Sequence, residues 1–268
     1  MYLLRGTVFF FYFIEFFVYF LYNEVVGRRN HMKKRILFLL MAISLFAFTA
    51  CTSEKQSSTD ALKFKEEYES LNGTTREKDG KTIRTIEISE DNPFVYKEAS
   101  DIVKMIENKE TFVVYFGFAD CPWCRSALPN LMKVTEDLGL DTIYYVDVKE
   151  IRDTMEIGSD GTVTTTKEGT DGYYEVLTAL DAVLEDYILK ASDGNQVSTG
   201  EKRIYAPNII SVVDGVAMEI TDGISESQTD GYMELTSKMN QESYDKIKCA
   251  IQCVADEKQV CSAKASCE

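Results

Sequence analysis

Residues 111–124 read Thr-Phe-Val-Val-Tyr-Phe-Gly-Phe-Ala-Asp-Cys-Pro-Trp-Cys, and they constrain the fold more than any other stretch. The apolar run 112–118 is rich in β-branched and aromatic residues, the composition of a buried strand. Gly117 inside it marks a place where another group comes close to the backbone. After the second cysteine, Leu128, Leu131, Met132, Val134 and Leu138 recur at helical spacing. Cys121 therefore falls at a strand-to-helix junction. Free N–H groups and the helix dipole favour a thiolate at such a position. Cys121 and Cys124, two residues apart, can close and reopen a small disulfide there. A reversible dithiol is the leading expectation, with a permanent structural disulfide as the alternative. A zinc site shared with other cysteines would need four thiolates in tetrahedral reach, so no metal is expected.

The N-terminal fifth reads as targeting sequence. Residues 32–35 are basic, 36–48 are almost wholly apolar, and Thr49-Ala50-Cys51 places small residues before a cysteine. This pattern is that of an exported precursor, 32–50 being the signal peptide. It resembles a bacterial lipoprotein signal, which implies that Cys51 is the lipid attachment site. Phe48 departs from the small aliphatic residue usual there. The polar residues 51–60 read as a flexible tether. Residues 1–31 form a hydrophobic N-terminal extension with Glu15 inside its apolar run. They read either as sequence upstream of a true start at Met32 or as a first membrane segment. The only histidine, His31, lies there. Histidine-based metal sites and Ser-His-Asp chemistry are thus not expected downstream.

The chain carries 29 Lys and Arg against 44 Asp and Glu, a net charge of −15. The imbalance deepens after Cys51, because the leading residues hold more bases than acids. Nucleic acid is therefore not an expected partner. Of the seven cysteines, Cys51 is assigned to lipid and Cys121 and Cys124 to the central pair. Cys249, Cys253, Cys261 and Cys267 form a cysteine-rich tail over 248–268. An even number beyond the lipidated one suits an oxidising compartment. Structural disulfides are expected in the tail, with Cys249 and Cys253 on one helix face. Three pairings are open, and a second redox relay is the alternative.

Along the remaining chain, periodicity predicts a helix over 60–71, a strand over 81–88 and a short helix from Ala99 to near Asn108. The central strand and helix follow, and then a second buried strand over 141–148, parallel to the first. Residues 153–172 are polar and read as a surface loop or a small insertion. A helix is expected over 172–189, a strand over 209–213, an Asp214-Gly215 hairpin turn, a return strand over 216–220 and a last helix over 231–247. Neither a glycine-rich nucleotide loop nor a calcium ladder is present. Arg125 stands where Cys-x-x-Cys-His haem attachment would need histidine. No cofactor is expected.

This order of elements resembles the thioredoxin-like superfamily, and is most similar to exported bacterial thioredoxin-like lipoproteins, including bacteriocin transport accessory proteins. The resemblance covers about 98–247. It implies an α/β fold, a three-layer α/β/α sandwich over 61–247 with a helical insertion at about 153–201. It also implies that Cys121 is an exposed nucleophile, Cys124 a buried resolving thiol, and Pro207 a cis-proline facing the pair. Pro129 matches a helix-kinking proline. Pro122 and Trp123, in place of Gly-Pro, are expected to tune the redox potential. Trp123 reads either as a platform for substrate or as loop packing. Asp120, where relatives carry Trp, is expected to raise the Cys121 pKa. Tyr115 stands where relatives have a buried acid; Glu110 and Asp147 are candidate substitutes.

The function these features imply is thiol–disulfide exchange on exported proteins or peptides, at the extracytoplasmic face of a bacterial membrane, with a membrane redox partner. The alternative is a non-catalytic binding or assembly factor whose pair stays closed.

Overall fold

A computed structural model of the chain describes residues 54–255, and its backbone forms a mixed five-stranded sheet flanked by helices on both faces. The expected lipid-site cysteine Cys51, the expected signal peptide 32–50, the extension 1–31, Cys261 and Cys267 lie outside the described residues. Among the described residues no helix is long and apolar enough to cross a membrane.

The sheet has the order β1-β3-β2-β8-β9. Its centre is β2 (Phe112–Gly117), buried at every position. On one side β2 pairs in parallel with β3 (Ile143–Asp147), and β3 pairs in parallel with β1 (Phe94–Tyr96). On the other, β2 runs antiparallel to β8 (Asn208–Val213), which turns back into β9 (Val216–Thr221). The turn needs positive φ at both central residues, and Asp214 at 50° with Gly215 at 76° supplies it.

Strand alternation divides the core into two layers. Val113, Tyr115, Tyr145 and Ile209 point to the face covered by α1 (Glu54–Glu69), α3 (Pro122–Leu138) and α5 (Ser237–Ala255). Phe112, Val114, Phe116, Val146 and Ile210 point to the face covered by α2 (Ala99–Glu107) and α4 (Asp171–Leu180). The α/β/α layering expected from the sequence is present.

Several boundaries move. The tether expected over 51–60 is helical from Glu54 on, as the first turns of α1. The strand expected over 81–88 has one isolated bridge, Thr75 with Thr82. Its Ile83, Ile86 and Ile88 are buried as the alternation requires. Their neighbouring backbone groups, however, bond to side chains at the end of α1. Ile86 N–H donates to Asn72 Oδ1 at 3.1 Å and Ile88 N–H to Glu69 Oε1 at 2.7 Å. β1 was missed because three residues are too few to show a period.

The helix expected over 172–189 stops at Leu180. The residues beyond it form β6 (Glu185–Lys190), which pairs antiparallel with β7 (Gln196–Arg203). Apolar residues at 183, 184, 187 and 188 fit a helical period, and hairpin pairing overrides it. The insertion is therefore two hairpins around one helix, the first being β4 (Thr154–Ile157) with β5 (Val163–Lys167). It is anchored by a buried ion pair: Arg203 Nη1 lies 2.8 Å from Asp153 Oδ1, and the guanidinium stacks 3.8 Å from the Tyr187 ring centroid. The last helix starts six residues later than expected, at Ser237, and runs through Cys249 and Cys253.

Candidate functional site

The site forms where β2 ends and α3 begins. Cys121 is the N-cap residue of α3, with extended backbone at φ −76° and ψ 118°, and its sulfur accepts the Cys124 N–H at 3.2 Å. Pro122 follows at the first helical position, where its fixed φ suits the helix and its missing N–H is no loss. The two thiols are free in this structure. Cys121 was expected to be exposed and is only 3% exposed; Cys124 is 0% exposed. The Cys121 thiol instead donates to the Ala206 carbonyl at 3.3 Å.

That carbonyl belongs to the Ala206-Pro207 peptide bond, which is cis, as expected of Pro207. The bond leads directly into β8, so the central strand pairing β2–β8 brings the proline loop beside the helix start. A groove of about 940 Å³ opens alongside, lined among others by Trp123, Tyr205, Pro207, Glu219 and Asp222. Trp123 is half-buried: it packs on the core below and forms part of the groove wall.

The two thiols have opposite electrostatics. Burial works against ionisation of Cys121, but hydrogen bonds from the Cys124 side chain and from the backbone N–H groups of Cys124 and Trp123 outweigh it. With the Arg152 charge added, they hold the thiol below its ordinary value. Burial, together with the neighbouring Cys121, pushes the Cys124 thiol well up. The expected effect of Asp120 does not prevail. Its carboxylate turns away into an ion pair with Lys149 at 3.0 Å.

Neither candidate substitute for the buried acid reaches Cys124 as a direct partner. Glu110 precedes β2, at the opposite end of the strand from the cysteines, where its carbonyl accepts from Gly215 N–H. Asp147 pairs in the ladder with Gly117, and burial raises its carboxyl above the usual range. Instead the Tyr115 hydroxyl, buried in the same core layer, interacts with Cys124. Gly117 makes room for it: a Cβ there would stand 2.5 Å from that oxygen.

Arg125 is fully buried, and its guanidinium makes four hydrogen bonds, all to neutral oxygens. Its Nε donates to the Arg84 carbonyl at 2.7 Å, and Nη1 donates to the carbonyls of Tyr68 at 3.0 Å and Ala119 at 2.8 Å. Nη2 donates to Asn72 Oδ1. Sequence reading gave Arg125 no role beyond not being histidine, and it missed Arg152 entirely. Arg152 lies in the turn after β3, and no spacing relates it to the cysteines.

In the tail, Cys249 is disulfide-bonded, whereas Cys253 is a free, buried thiol. The bridge expected at Cys253 is therefore not made in this structure. Pro129 lies inside α3, as expected. Among the described residues no group of three or more His, Cys, Asp or Glu is placed to hold a metal.

No family model matches the chain, and no curated protein or solved structure matches it significantly. The functional reading therefore rests on the sequence pattern and the geometry of the site.

Proposed function

We propose that the protein is a thioredoxin-like thiol–disulfide exchange protein acting on exported proteins or peptides, lipid-anchored through Cys51 at the extracytoplasmic face of a bacterial membrane. The observation that carries this reading is the asymmetry of the pair. Cys121, capping a helix, is held toward its thiolate, and Cys124, one turn deeper, is held as a thiol. The first is suited to attack a disulfide and the second to resolve the mixed disulfide that results. The cis peptide at Pro207 and the adjoining groove provide a place where an extended peptide can lie beside the sulfur. The substrate must displace the Cys121–Ala206 hydrogen bond to reach it.

A redox titration of the full chain tests the reading. A potential for the Cys121–Cys124 pair between roughly −270 and −120 mV fits exchange chemistry, and one below about −300 mV fits a fixed brace. The near-complete burial of Cys121 favours a second reading, a peptide-holding factor whose pair stays closed. Under that reading reduced Cys121 stays unreactive toward a small alkylating agent.

The groove also carries a charge preference. Glu185, Glu219, Asp222 and Glu226 line it, with Lys246 as the one base. At low salt a disulfide peptide flanked by lysines is expected to exchange several-fold faster than one flanked by glutamates. The ratio should collapse toward unity near 1 M salt, where the Debye length is about 3 Å. Equal rates at low salt would remove the groove from substrate selection.

A further inference from the structure

We propose that Tyr115, Tyr68, Tyr145 and Glu67 form a proton path between the buried Cys124 thiol and the protein surface, with the Tyr115 hydroxyl as the catalytic group that takes the thiol proton. The proposal deepens the exchange reading and rests on it.

Cys124 has to lose a proton before it can attack, and it lies fully buried in the first turn of α3. A thiolate formed there with nowhere to send its proton is costly. Tyr115 and Cys124 are buried in the same core layer, and the Tyr115 hydroxyl interacts with the thiol. That hydroxyl is 3.2 Å from the Tyr68 hydroxyl. The Tyr68 and Tyr145 rings meet edge to face at 6.2 Å between centroids, and their hydroxyls interact. Tyr145 donates to Glu67 Oε1 at 3.2 Å, and Tyr96 donates to the other oxygen of the same carboxylate. All three interior tyrosines are 0% exposed, whereas Glu67 is only partly buried. The row crosses from β2 to α1 to β3 and returns to α1 at the surface. The Tyr115 and Tyr145 rings stack at 5.5 Å between centroids, which fixes the geometry. Burial raises all three phenols, so they pass protons as neutral hydroxyls and do not ionise. Charged groups facing the row include Arg125, 5.8 Å from the Tyr68 ring centroid, Lys63, whose Nζ is 3.5 Å from the Tyr96 ring centroid, and Asp147, which faces Tyr145 and Tyr96. Asp60 faces Tyr96.

In the resolving step Cys121 is joined to a substrate sulfur. The Cys124 proton passes to the Tyr115 oxygen, and each hydroxyl hands its own proton on, the last to Glu67 and then to water. The Cys124–Cys121 bond forms, and the bond from Cys121 to the substrate breaks. The substrate leaves as a thiolate. Over both steps the dithiol loses two electrons and the substrate disulfide gains them.

The test mixes the reduced full chain with an aromatic disulfide whose two thiolate products absorb visible light. The first is released when Cys121 attacks and the second when Cys124 resolves. In Tyr145→Phe and Glu67→Gln, neither of which alters Tyr115 itself, the first release should keep its rate. The second should slow about tenfold or more, the scale of positioned acid–base groups. Its rate should also rise about tenfold per pH unit, because bulk hydroxide must then do the work. Tyr115→Phe should behave the same, with thermal unfolding checked in parallel. If Tyr145→Phe and Glu67→Gln leave the second release and its pH profile unchanged, the path is overturned while exchange stands. If the unsubstituted chain releases no first thiolate, the exchange reading falls and takes the path with it.

Discussion

Replacing Cys124 by Ser is expected to convert the protein into a trap. Cys121 still attacks a disulfide, because the serine hydroxyl can donate in place of the Cys124 side chain, and the backbone N–H groups and the Arg152 charge that also favour the thiolate are kept. Without the second sulfur the mixed disulfide has no intramolecular exit. It should persist for minutes or longer and be visible as an adduct by non-reducing electrophoresis and intact-mass analysis of cell envelopes. Cys121→Ser should form no adduct and exchange no faster than background. The double comparison separates attack from resolution. Adducts on Cys124 in the Cys121→Ser chain would reverse the assigned roles. Absence of adducts in Cys124→Ser would leave the peptide-holding reading. The size of the effect follows from effective concentration: an intramolecular thiol in contact acts as if present at very high molarity, on the order of 10⁵ M or more for well-oriented groups.

Arg125→Met is expected to lower the unfolding free energy by about 3 kcal/mol or more. Losing the charge is not the main reason, since a buried charge replaced by a well-packed apolar group of similar volume is often neutral. The cost lies in the oxygens it leaves behind. The Arg84 and Ala119 carbonyls lose a charged donor within the protein, and each unsatisfied buried acceptor costs about 1–3 kcal/mol. Arg84 belongs to the segment after α1 and Ala119 to the residues just before Cys121, so one side chain ties both to the helix start. Chemical denaturation of the two chains measures the difference. An unchanged midpoint and slope would mean that water replaces the guanidinium without loss. Arg125→Lys should recover little, because one ammonium cannot span four acceptors.

What the sequence made legible is what local pattern controls. The run 112–118, the apolar spacing of 128–138 and the Asp214-Gly215 turn each carry a period or a backbone requirement, and all three elements formed where expected. Cys121 at the helix start followed from the same reading, whereas the cis bond before Pro207 was expected only from the family resemblance. Segment 81–88 failed for a physical reason: its alternation buried the right isoleucines, but its backbone found partners in Asn72 and Glu69, not in a neighbouring strand. Residues 185–190 failed because periods of 3.6 and 2 overlap over so short a run, and only the partner β7 decides between them. The burial of Cys121, the approach of Arg152 and the row from Tyr115 to Glu67 depend on side chains from separate elements meeting. Tyr68, Tyr115 and Tyr145 look like ordinary core aromatics one at a time. Their hydroxyls acquire meaning when three elements converge.

Trp123 is the sole indole of the chain, and it sits between the two sulfurs, half sunk in the protein and half facing the groove. The intrinsic ultraviolet emission of the whole molecule thus arises chiefly from one chromophore placed within the reactive loop. Opening or closing the pair and filling the groove should each alter its brightness or colour, with no tag attached. The molecule comes with its own optical gauge, mounted where the chemistry would happen.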